Sequence, residues 1–246
     1  MLYQLAGTQT RILGSLHRVP VGATDWIAGV EDQCVWASEF AVEMHSSKGP
    51  ALFSAPTGQS VSRLPEDLAK RLKAIWPASV VGPWDGANMP GAALIAMIQD
   101  TPTDPGVESV VEAAASDGRA LHELEDVHIF HSGFTEVQTS QFSTAIRQAL
   151  RRGLSHRIGT MKYYYEAWQS GDLHALHRAS REELPPAFER PLFTDRNAAW
   201  APKVAALASR PIKLLVCVGA AHLCGPSNLL DILQRDHGLA AEEVGA

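Results

Sequence analysis

The feature that most constrains the fold is the apolar segment 212–218, IKLLVCV, in which Lys213 is the only charged residue. A run of this length with several β-branched residues is typical of a strand buried on both faces, as in a parallel sheet. Gly219 ends the segment, and Pro226 predicts the start of a helix that continues to about residue 234. A buried strand followed by a helix is the repeating unit of an α/β fold.

The rest of the chain alternates in the same way. Turn residues and apolar periodicity predict a hairpin, a strand that carries Glu39 at its end, a further short strand and several helices. The predicted strands are 2–5, 10–13, 34–40 and 120–124, and the predicted helices are 24–31, 65–76, 86–99 and 107–115. Strand signals then disappear, and helical periodicity dominates from about 135 to 208. We therefore expect one α/β domain over 1–246, a mixed, mostly parallel central sheet with flanking helices, and a helical cap over about 130–208.

Composition narrows the choice of partners. Apolar residues make up 46% and charged residues 20% of the chain, and the net charge is −6, which argues against a nucleic-acid partner. No apolar run reaches the roughly 18–20 residues that span a bilayer, so no membrane partner is expected. The N-terminus lacks the basic start and apolar core of a secretory signal, which favours the cytoplasm, or the periplasm if a signal has been removed. The three cysteines form no Cys-x-x-Cys pair, and a reducing compartment is the simpler inference.

Two segments share the form Gly-x-x-His. Gly14 and His17 follow the first core strand, and Gly219 and His222 follow the last. In open α/β sheets ligands bind in the crevice at the carboxyl ends of the strands. Glycine allows a sharp turn there, so that a histidine three residues later can reach over the strand ends. We therefore predict that His17 and His222 converge although they lie near opposite ends of the chain.

Glu39 is expected to complete this site. It follows the apolar residues of the predicted strand 34–40, and a carboxylate at that strand's end would face the same crevice as the histidines. Two imidazoles and one carboxylate are the ligand set of a catalytic divalent-metal site with an open water position. His17, Glu39 and His222 are therefore the predicted metal ligands.

These residues, together with several further blocks, resemble the signature of the TraB/GumN family, which is similar to the Tiki metalloproteases. The blocks agree in order and spacing from about residue 2 to 238. They are Gly14–His17, Glu39, Pro83-Trp84, Gly106-Val107-Glu108, Leu124-Glu125, WQSGDL at 168–173, DRNAAW at 195–200 and VGAAHLCGP at 218–226.

The resemblance implies an α/β core distantly similar to the erythromycin-esterase and ChaN-like folds. It also implies an active centre of paired histidines with a glutamate, and metal-dependent peptidase activity that favours manganese or cobalt over zinc. The predicted cofactor is thus a divalent metal ion, manganese or cobalt, with zinc or iron as alternatives. The sequence departs from the family at Glu108, where an aspartate is frequent, and in lacking the export signal of many bacterial members.

Three further residues are predicted to act in catalysis. Glu125 follows an apolar strand and would serve as general base on a water, or hold a ligand histidine in its tautomer. Arg196 has the fork geometry to bind a carboxylate or a developing oxyanion, with an ion pair to Asp195 as the structural alternative. Asn197 would orient the same group.

A rival metal cluster lies in residues 122–131. His122, His128 and His131 are interspersed there with acidic residues, and His122, Asp126 and His128 would share one face of an extended chain. Exposed loop histidines explain the same pattern. We expect His128 and His131 to lie outside the crevice.

The leading hypothesis is a metal-dependent hydrolase that acts on peptide bonds, with a peptide or small molecule as its substrate. His-Glu-x-x-His, Gly-x-Ser-x-Gly and phosphate-loop motifs do not occur, so other common hydrolase and nucleotide-binding classes lack support. Two alternatives stay open. One is a metal-free, esterase-like hydrolase with a histidine base, and the other is a non-enzymatic module that binds a small molecule, haem or a peptide. The sequence does not indicate an oligomeric state.

Overall fold

A six-stranded mixed sheet lies at the centre of the structure. The computed structural model of the chain describes residues 1–54, 59–99, 101–182 and 184–244. Its strands are β1 (Leu2–Leu5), β2 (Thr10–Ser15), β3 (Arg18–Pro20), β4 (Glu39–Val42), β5 (Thr103–Pro105), β6 (Leu121–Glu123), β7 (Leu214–Gly219) and β8 (Ala241–Glu243).

The main sheet has the order β6-β4-β7-β2-β1-β8. Strands β6, β4, β7 and β2 are parallel, and β1 runs antiparallel to both β2 and β8. The remaining strands, β3 and β5, form a separate antiparallel ribbon. The α/β fold with a mixed, mostly parallel sheet is therefore confirmed, and its distant similarity to the esterase folds stays a prediction.

Helices flank the sheet and fill the second half of the chain. They are α1 (Ile27–Trp36), α2 (Ala51–Ser54), α3 (Glu66–Ile75), α4 (Ala78–Val81), α5 (Met89–Ile98), α6 (Val107–Ala115), α7 (Val127–Gly133), α8 (Thr139–Arg151), α9 (Leu154–Ser170), α10 (Leu173–Glu182), α11 (Pro186–Glu189), α12 (Asp195–Ala208) and α13 (Leu229–His237). A π-helical turn, Arg190–Thr194, joins α11 to α12, and a 3₁₀ turn, Ala220–Leu223, follows β7. No helix in the described part of the chain is long and apolar enough to cross a membrane.

Strand β7 explains why the sheet is covered on both faces. Every residue of β7 is buried. Leu215 and Cys217 pack with α1 and α6 on one face, whereas Val216 and Val218 pack with α12 and α13 on the other. Burial on both faces explains the continuous apolar sequence of a central parallel strand.

A third apolar cluster lies away from the sheet. It joins α3 and α5 to α7, α8 and the π-helical turn, with Phe134, Phe142 and Phe188 fully buried in it. The helices that precede residue 100 thus share a core with those that follow residue 126. Helix α12 belongs instead to the cluster under the sheet, through Trp200 and Val204.

The predicted strand 34–40 is wrong in its first half. Residues Cys34 to Trp36 are the last turn of α1, and the strand begins only at Glu39. Val30 and Cys34 form the buried face of α1, whereas Val35 is 84% exposed. The short apolar run Cys34 to Ala37 suits either structure, and the spacing of Ile27, Val30 and Cys34 is the helical one.

Candidate functional site

Three parallel strands end at one edge of the sheet, and a titratable side chain follows each of them. In the register of the sheet, Ser15 of β2 is opposite Gly219 of β7, and Val42 of β4 is opposite Cys217. His17 therefore comes two residues after β2, Glu43 one residue after β4 and His222 three residues after β7. These side chains meet above the strand ends.

His17 is held by a carboxylate from helix α6. Its Nδ1 lies 2.8 Å from Glu108 Oε1, and its Nε2 lies 3.9 Å from Glu43 Oε1. Ser15 Oγ donates to the same oxygen of Glu108. The bond to Glu108 places the Nδ1 proton, and the His17 side chain is still 65% exposed, so its Nε2 edge is accessible.

Gly106 brings α6 to His17 through close backbone contact. Gly106 N donates to the His17 carbonyl at 3.0 Å, and Val107 N donates to the Leu16 carbonyl at 2.9 Å. A Cβ at residue 106 would lie 1.7 Å from the Leu16 carbonyl oxygen, so only glycine fits. This contact fixes the first turn of α6, and Glu108 with it, beside the imidazole.

His222 is buried and held by an amide. Its Nδ1 lies 2.7 Å from Asn197 Oδ1, while Asn197 Nδ2 donates to the Ser227 carbonyl at 3.0 Å. This second bond orients the amide, so its oxygen accepts the Nδ1 proton of His222. The Nε2 lone pair is then free to accept from Arg196 Nη1 at 3.1 Å, and Glu43 Oε1 lies 3.8 Å from the same nitrogen. Asn197, predicted to orient a substrate-binding group, instead orients this histidine.

Glu43 is the carboxylate between the two imidazoles, and it was absent from the predicted site. Its Oε1 accepts from Gly219 N at 2.6 Å, and its Oε2 accepts from Arg196 Nη2 at 2.6 Å. A Cβ at Gly219 would lie 3.0 Å from Glu43 Oε1 and 3.7 Å from His17 Nε2, so the glycine makes room for both. The available signal was the acid directly after the apolar residues of β4.

Arg196 links the predicted catalytic residues in a buried network. Besides Glu43, its Nε donates to Glu125 Oε2 at 2.5 Å, and its Nη1 lies 3.1 Å from His222 Nε2. The guanidinium also stacks on the Trp200 ring, 4.4 Å from the centroid. Arg196 is thus bound to protein groups on three sides, which differs from the free anion-binding side chain that we expected.

Glu125 lies behind Arg196. Its Oε1 accepts from the Asp126 amide, and its side chain is only 1% exposed. Its Oε2 accepts a hydrogen bond from the Arg196 side chain. This position suits a residue that holds Arg196 in place. It suits a general base in contact with substrate less well.

The predicted position of Glu39 is wrong. Glu39 begins β4 opposite Leu214, the first residue of β7, and accepts from Arg210 and from His122 Nε2 at 2.7 Å. Glu43 lies four positions further along the chain, about 13 Å away in extended backbone. Because the strand starts at Glu39 and does not end there, the side chain lies at the opposite edge of the sheet from His17 and His222.

The rival histidine cluster is dispersed. His122 contacts Glu39, His128 is on the surface, and His131 is buried with its Nε2 3.3 Å from the Ala51 carbonyl oxygen. Neither His128 nor His131 lines the cavity in front of the site.

The environment of the site shifts the pKa values of the two histidines in opposite directions. The Glu108 carboxylate raises the pKa of His17 to about 9, with a smaller contribution from the Glu43 carboxylate. Burial lowers the pKa of His222 to about 3 despite the nearby Glu43 carboxylate. Burial also opposes ionisation of Glu43, but Arg196 and the two histidines outweigh it and hold the pKa of that carboxyl well below its usual range. At neutral pH the site thus contains a carboxylate, an imidazolium and a neutral imidazole.

The pKa of Glu125 is shifted in the opposite direction to that of Glu43. Burial raises the pKa of its carboxyl, although the Arg196 guanidinium acts against this shift.

A cavity of about 430 Å³ opens in front of the two histidines. His17, Arg196 and His222 line its floor, and side chains of α5, α9 and the π-helical turn form its walls. A second cavity, of about 460 Å³, lies on the other side of His17 beside Glu43 and Glu108. His17 therefore lies between an apolar cavity and an acidic one.

The imidazoles of His17 and His222 and the carboxylate of Glu43 are groups of the kind that bind divalent metal ions. Both Nδ1 atoms are engaged by Glu108 and Asn197, so the Nε2 atoms of His17 and His222 would be the ligands, as in metal sites with outer carboxylate or amide contacts. His17 would have to lose its Nε2 proton for this, and His222 its contact with Arg196 Nη1. Both Nε2 atoms are within 3.9 Å of one oxygen of Glu43. In the described residues no three His, Cys, Asp or Glu side chains already lie at ligating distances.

Comparison with known proteins identifies the family. Searches of curated proteins and of solved structures gave no match. The model of the TraB/PrgY/gumN family matches residues 2–238, nearly the whole chain. The chain therefore belongs to the TraB/PrgY/gumN family.

Proposed function

We propose that the chain is a metal-dependent hydrolase of peptide bonds whose site is the edge of the sheet above β2, β4 and β7. His17, Glu43 and His222 would hold the ion, with Glu43 in the place that the sequence suggested for Glu39. Manganese or cobalt is the proposed metal. Such an ion supplies Lewis acidity toward water and toward a carbonyl oxygen when it is bound.

One observation carries this proposal. Two histidines from distant parts of the chain each have Nδ1 engaged and Nε2 close to the same carboxylate oxygen, at 3.9 Å and 3.8 Å. A histidine that only stabilises the fold has no need of a second histidine whose Nε2 lies near the same carboxylate oxygen. Histidine ligands of metal ions characteristically have this outer support.

The surrounding residues have distinct tasks. Glu108 and Asn197 hold the imidazoles in one tautomer and orientation. Arg196 binds Glu43 Oε2 and so directs the other oxygen toward the histidines. Glu125 compensates the buried charge of Arg196.

A metal-free hydrolase is the second candidate, and one contact favours it. Arg196 Nη1 lies 3.1 Å from His222 Nε2, the atom that would otherwise bind an ion. His222 is neutral at pH 7 because burial and the Arg196 charge lower its pKa to about 3, so its imidazole would become an effective base only if the substrate displaced Arg196 and the pKa rose. In this mechanism Arg196 would release His222 when the substrate enters.

A peptide-library cleavage assay with and without chelator separates the two candidates. The metal hydrolase predicts cleavage that stops in excess chelator and returns when manganese or cobalt is added. Glu43→Gln should lose activity, whereas Glu39→Gln, at the other end of the same strand, should keep it. Full cleavage in chelator would support the histidine base, and absence of cleavage under every condition would overturn both.

A further inference from the structure

Apolar side chains form most of the wall of the cavity in front of the histidines. They come from α5, α9 and the π-helical turn, and include Leu94, Met97, Met161 and Phe193. The cavity volume of about 430 Å³ lies within the range of roughly 300–1,000 Å³ that is typical of small-molecule sites. An apolar group that enters the cavity would be removed from water against this wall, which favours binding.

Met161 belongs to the wall of the cavity but not to the apolar core. Its side chain is half-buried, yet it is in none of the three apolar clusters formed by the described residues. Leu94 and Met97, in contrast, also pack against the cluster that joins α5 to α8. The apolar surface of Met161 therefore lines the cavity, where an apolar ligand would cover it.

Two methionines make this wall adaptable. Met97 is on α5 and Met161 is on α9, and both line the cavity. Methionine is unbranched and has three rotatable bonds, so it adjusts to ligands of different shape. We therefore expect the cavity to accept several large apolar side chains, such as those of leucine, methionine and phenylalanine.

The charged side chains that line the cavity are cationic. They are Arg18, Arg157 and Arg196, together with His17, whose pKa of about 9 keeps it protonated at neutral pH. Among the described residues that line the cavity there is no carboxylate, and each of the three arginines already donates to an oxygen of the protein. A lysine or arginine side chain of a ligand would therefore meet like charges and lose water without gaining a partner.

We propose that the cavity binds a large apolar side chain of a peptide substrate, on a residue that flanks the bond to be cleaved, and excludes lysine and arginine there. His17 and His222 line the same cavity, so its occupant lies next to the proposed reaction site. The position beside the cleaved bond rests on the proposed function, whereas binding of the side chain requires no hydrolysis. Met97 and Met161 are the specificity-determining residues.

Calorimetric titration of the full, metal-free chain with three matched peptides tests the binding preference. The peptides are acetyl-Gly-Gly-X-Gly-Gly-amide, in which X is norleucine, lysine or glycine. Norleucine and lysine share a side chain of four carbons, to which lysine adds an ammonium group. We expect the norleucine peptide to bind at least about tenfold more tightly than either of the others. The net charge of −6 attracts the lysine peptide, so long-range attraction cannot produce this result.

Variants of α9 locate the preference. Met161→Glu should reduce the preference for norleucine over lysine to about twofold or less, because it places a carboxylate in the wall of the cavity. Ser155→Glu makes the same change of charge at an exposed position outside the cavity and should bind like the wild type. Met161→Leu should retain the preference because the wall stays apolar. Circular dichroism confirms that each variant is folded.

Two binding results would overturn the proposal: a norleucine peptide that binds no more tightly than the lysine or glycine peptide, or an unchanged preference in folded Met161→Glu. With manganese or cobalt added, a peptide library should be cut at bonds flanked by leucine, methionine or phenylalanine. Cleavage only at bonds without a flanking apolar residue would refute this inference and leave the hydrolase in place. The norleucine preference without cleavage of any peptide would refute the hydrolase alone.

Discussion

Glu39 is the first residue of the four-residue strand β4 and Glu43 directly follows its last, and only Glu43 reaches the histidines. Glu43 bonds the buried Arg196 and the amide of Gly219, whereas Glu39 bonds Arg210 and His122 at the far edge of the sheet. The two carboxylates thus provide a matched pair for experiments on the site.

The first prediction concerns stability. Glu43→Ala should lower the free energy of unfolding by about 3–5 kcal/mol, because it leaves the Arg196 charge buried without one of its two carboxylates. Glu39→Ala should cost less than about 1 kcal/mol, since Arg210 is 41% exposed and the pair is screened by solvent. Urea unfolding of the metal-free variants measures both values. Equal costs would mean that Glu43 is not part of a buried network.

The second prediction concerns Gly106. Gly106→Ala should cost at least about 2 kcal/mol, because the new methyl group would overlap the Leu16 carbonyl and separate α6 from His17. Gly159→Ala is the control. No atom lies within 4 Å of a Cβ there, and alanine in a helix should add about 0.5–1 kcal/mol. An unfolding free energy of Gly106→Ala equal to that of the wild type would refute the close packing of α6 on the His17 segment.

The third prediction concerns Asn197 as a positioning residue. Asn197→Ala should weaken metal binding about 10–100-fold by removing the acceptor that fixes the His222 tautomer. An NMR spectrum of the ring nitrogens should at the same time show a mixture of His222 tautomers. A single unchanged tautomer in the variant would show that Asn197 does not orient the ring.

The fourth prediction is the titration of the histidines in the metal-free protein. By NMR, His17 should lose its proton at a pKa of about 9, and Glu108→Gln should move the pKa back toward 6.5. Because the folded pKa is raised, the stabilisation from His17 is complete below about pH 6.5 and disappears as the pH rises through 9. A His17 pKa near 6.5 in the wild type would contradict the contact with Glu108.

His222 should act in the opposite direction. Its folded pKa of about 3 lies below the unfolded value of 6.5, so the unfolded chain binds a proton first as the pH falls. Stability should therefore decline between pH 6.5 and 3, and the loss of the paired Glu43 carboxylate at low pH adds to it. Unfolding measured across this range should show a smaller decline in His222→Phe.

Part of this site could be predicted from sequence because its signals are local. The Gly-x-x-His spacing after two apolar strands located His17 and His222, and the continuous apolar run located β7. Helix α6 was likewise predicted with its observed ends, Val107–Ala115.

The rest depends on tertiary contacts. Whether Cys34 to Trp36 form a helix or a strand decides which glutamate ends β4, and a short apolar run does not distinguish them. The roles of Arg196 and Asn197 depend on contacts with Glu43 and His222, which come from other parts of the chain. From residue type alone, Arg196 and Asn197 were therefore predicted to bind or orient a substrate group. In the structure they bind Glu43 and His222 instead.

The most direct test of the central claim is equilibrium binding of manganese or cobalt to the wild type and four alanine variants. We expect one ion per chain, with a Kd that rises at least about 100-fold in His17→Ala, Glu43→Ala and His222→Ala and stays within about twofold in Glu39→Ala. An ion bound equally well without Glu43, or a wild type that cleaves peptides at full rate while holding no metal, would contradict the account.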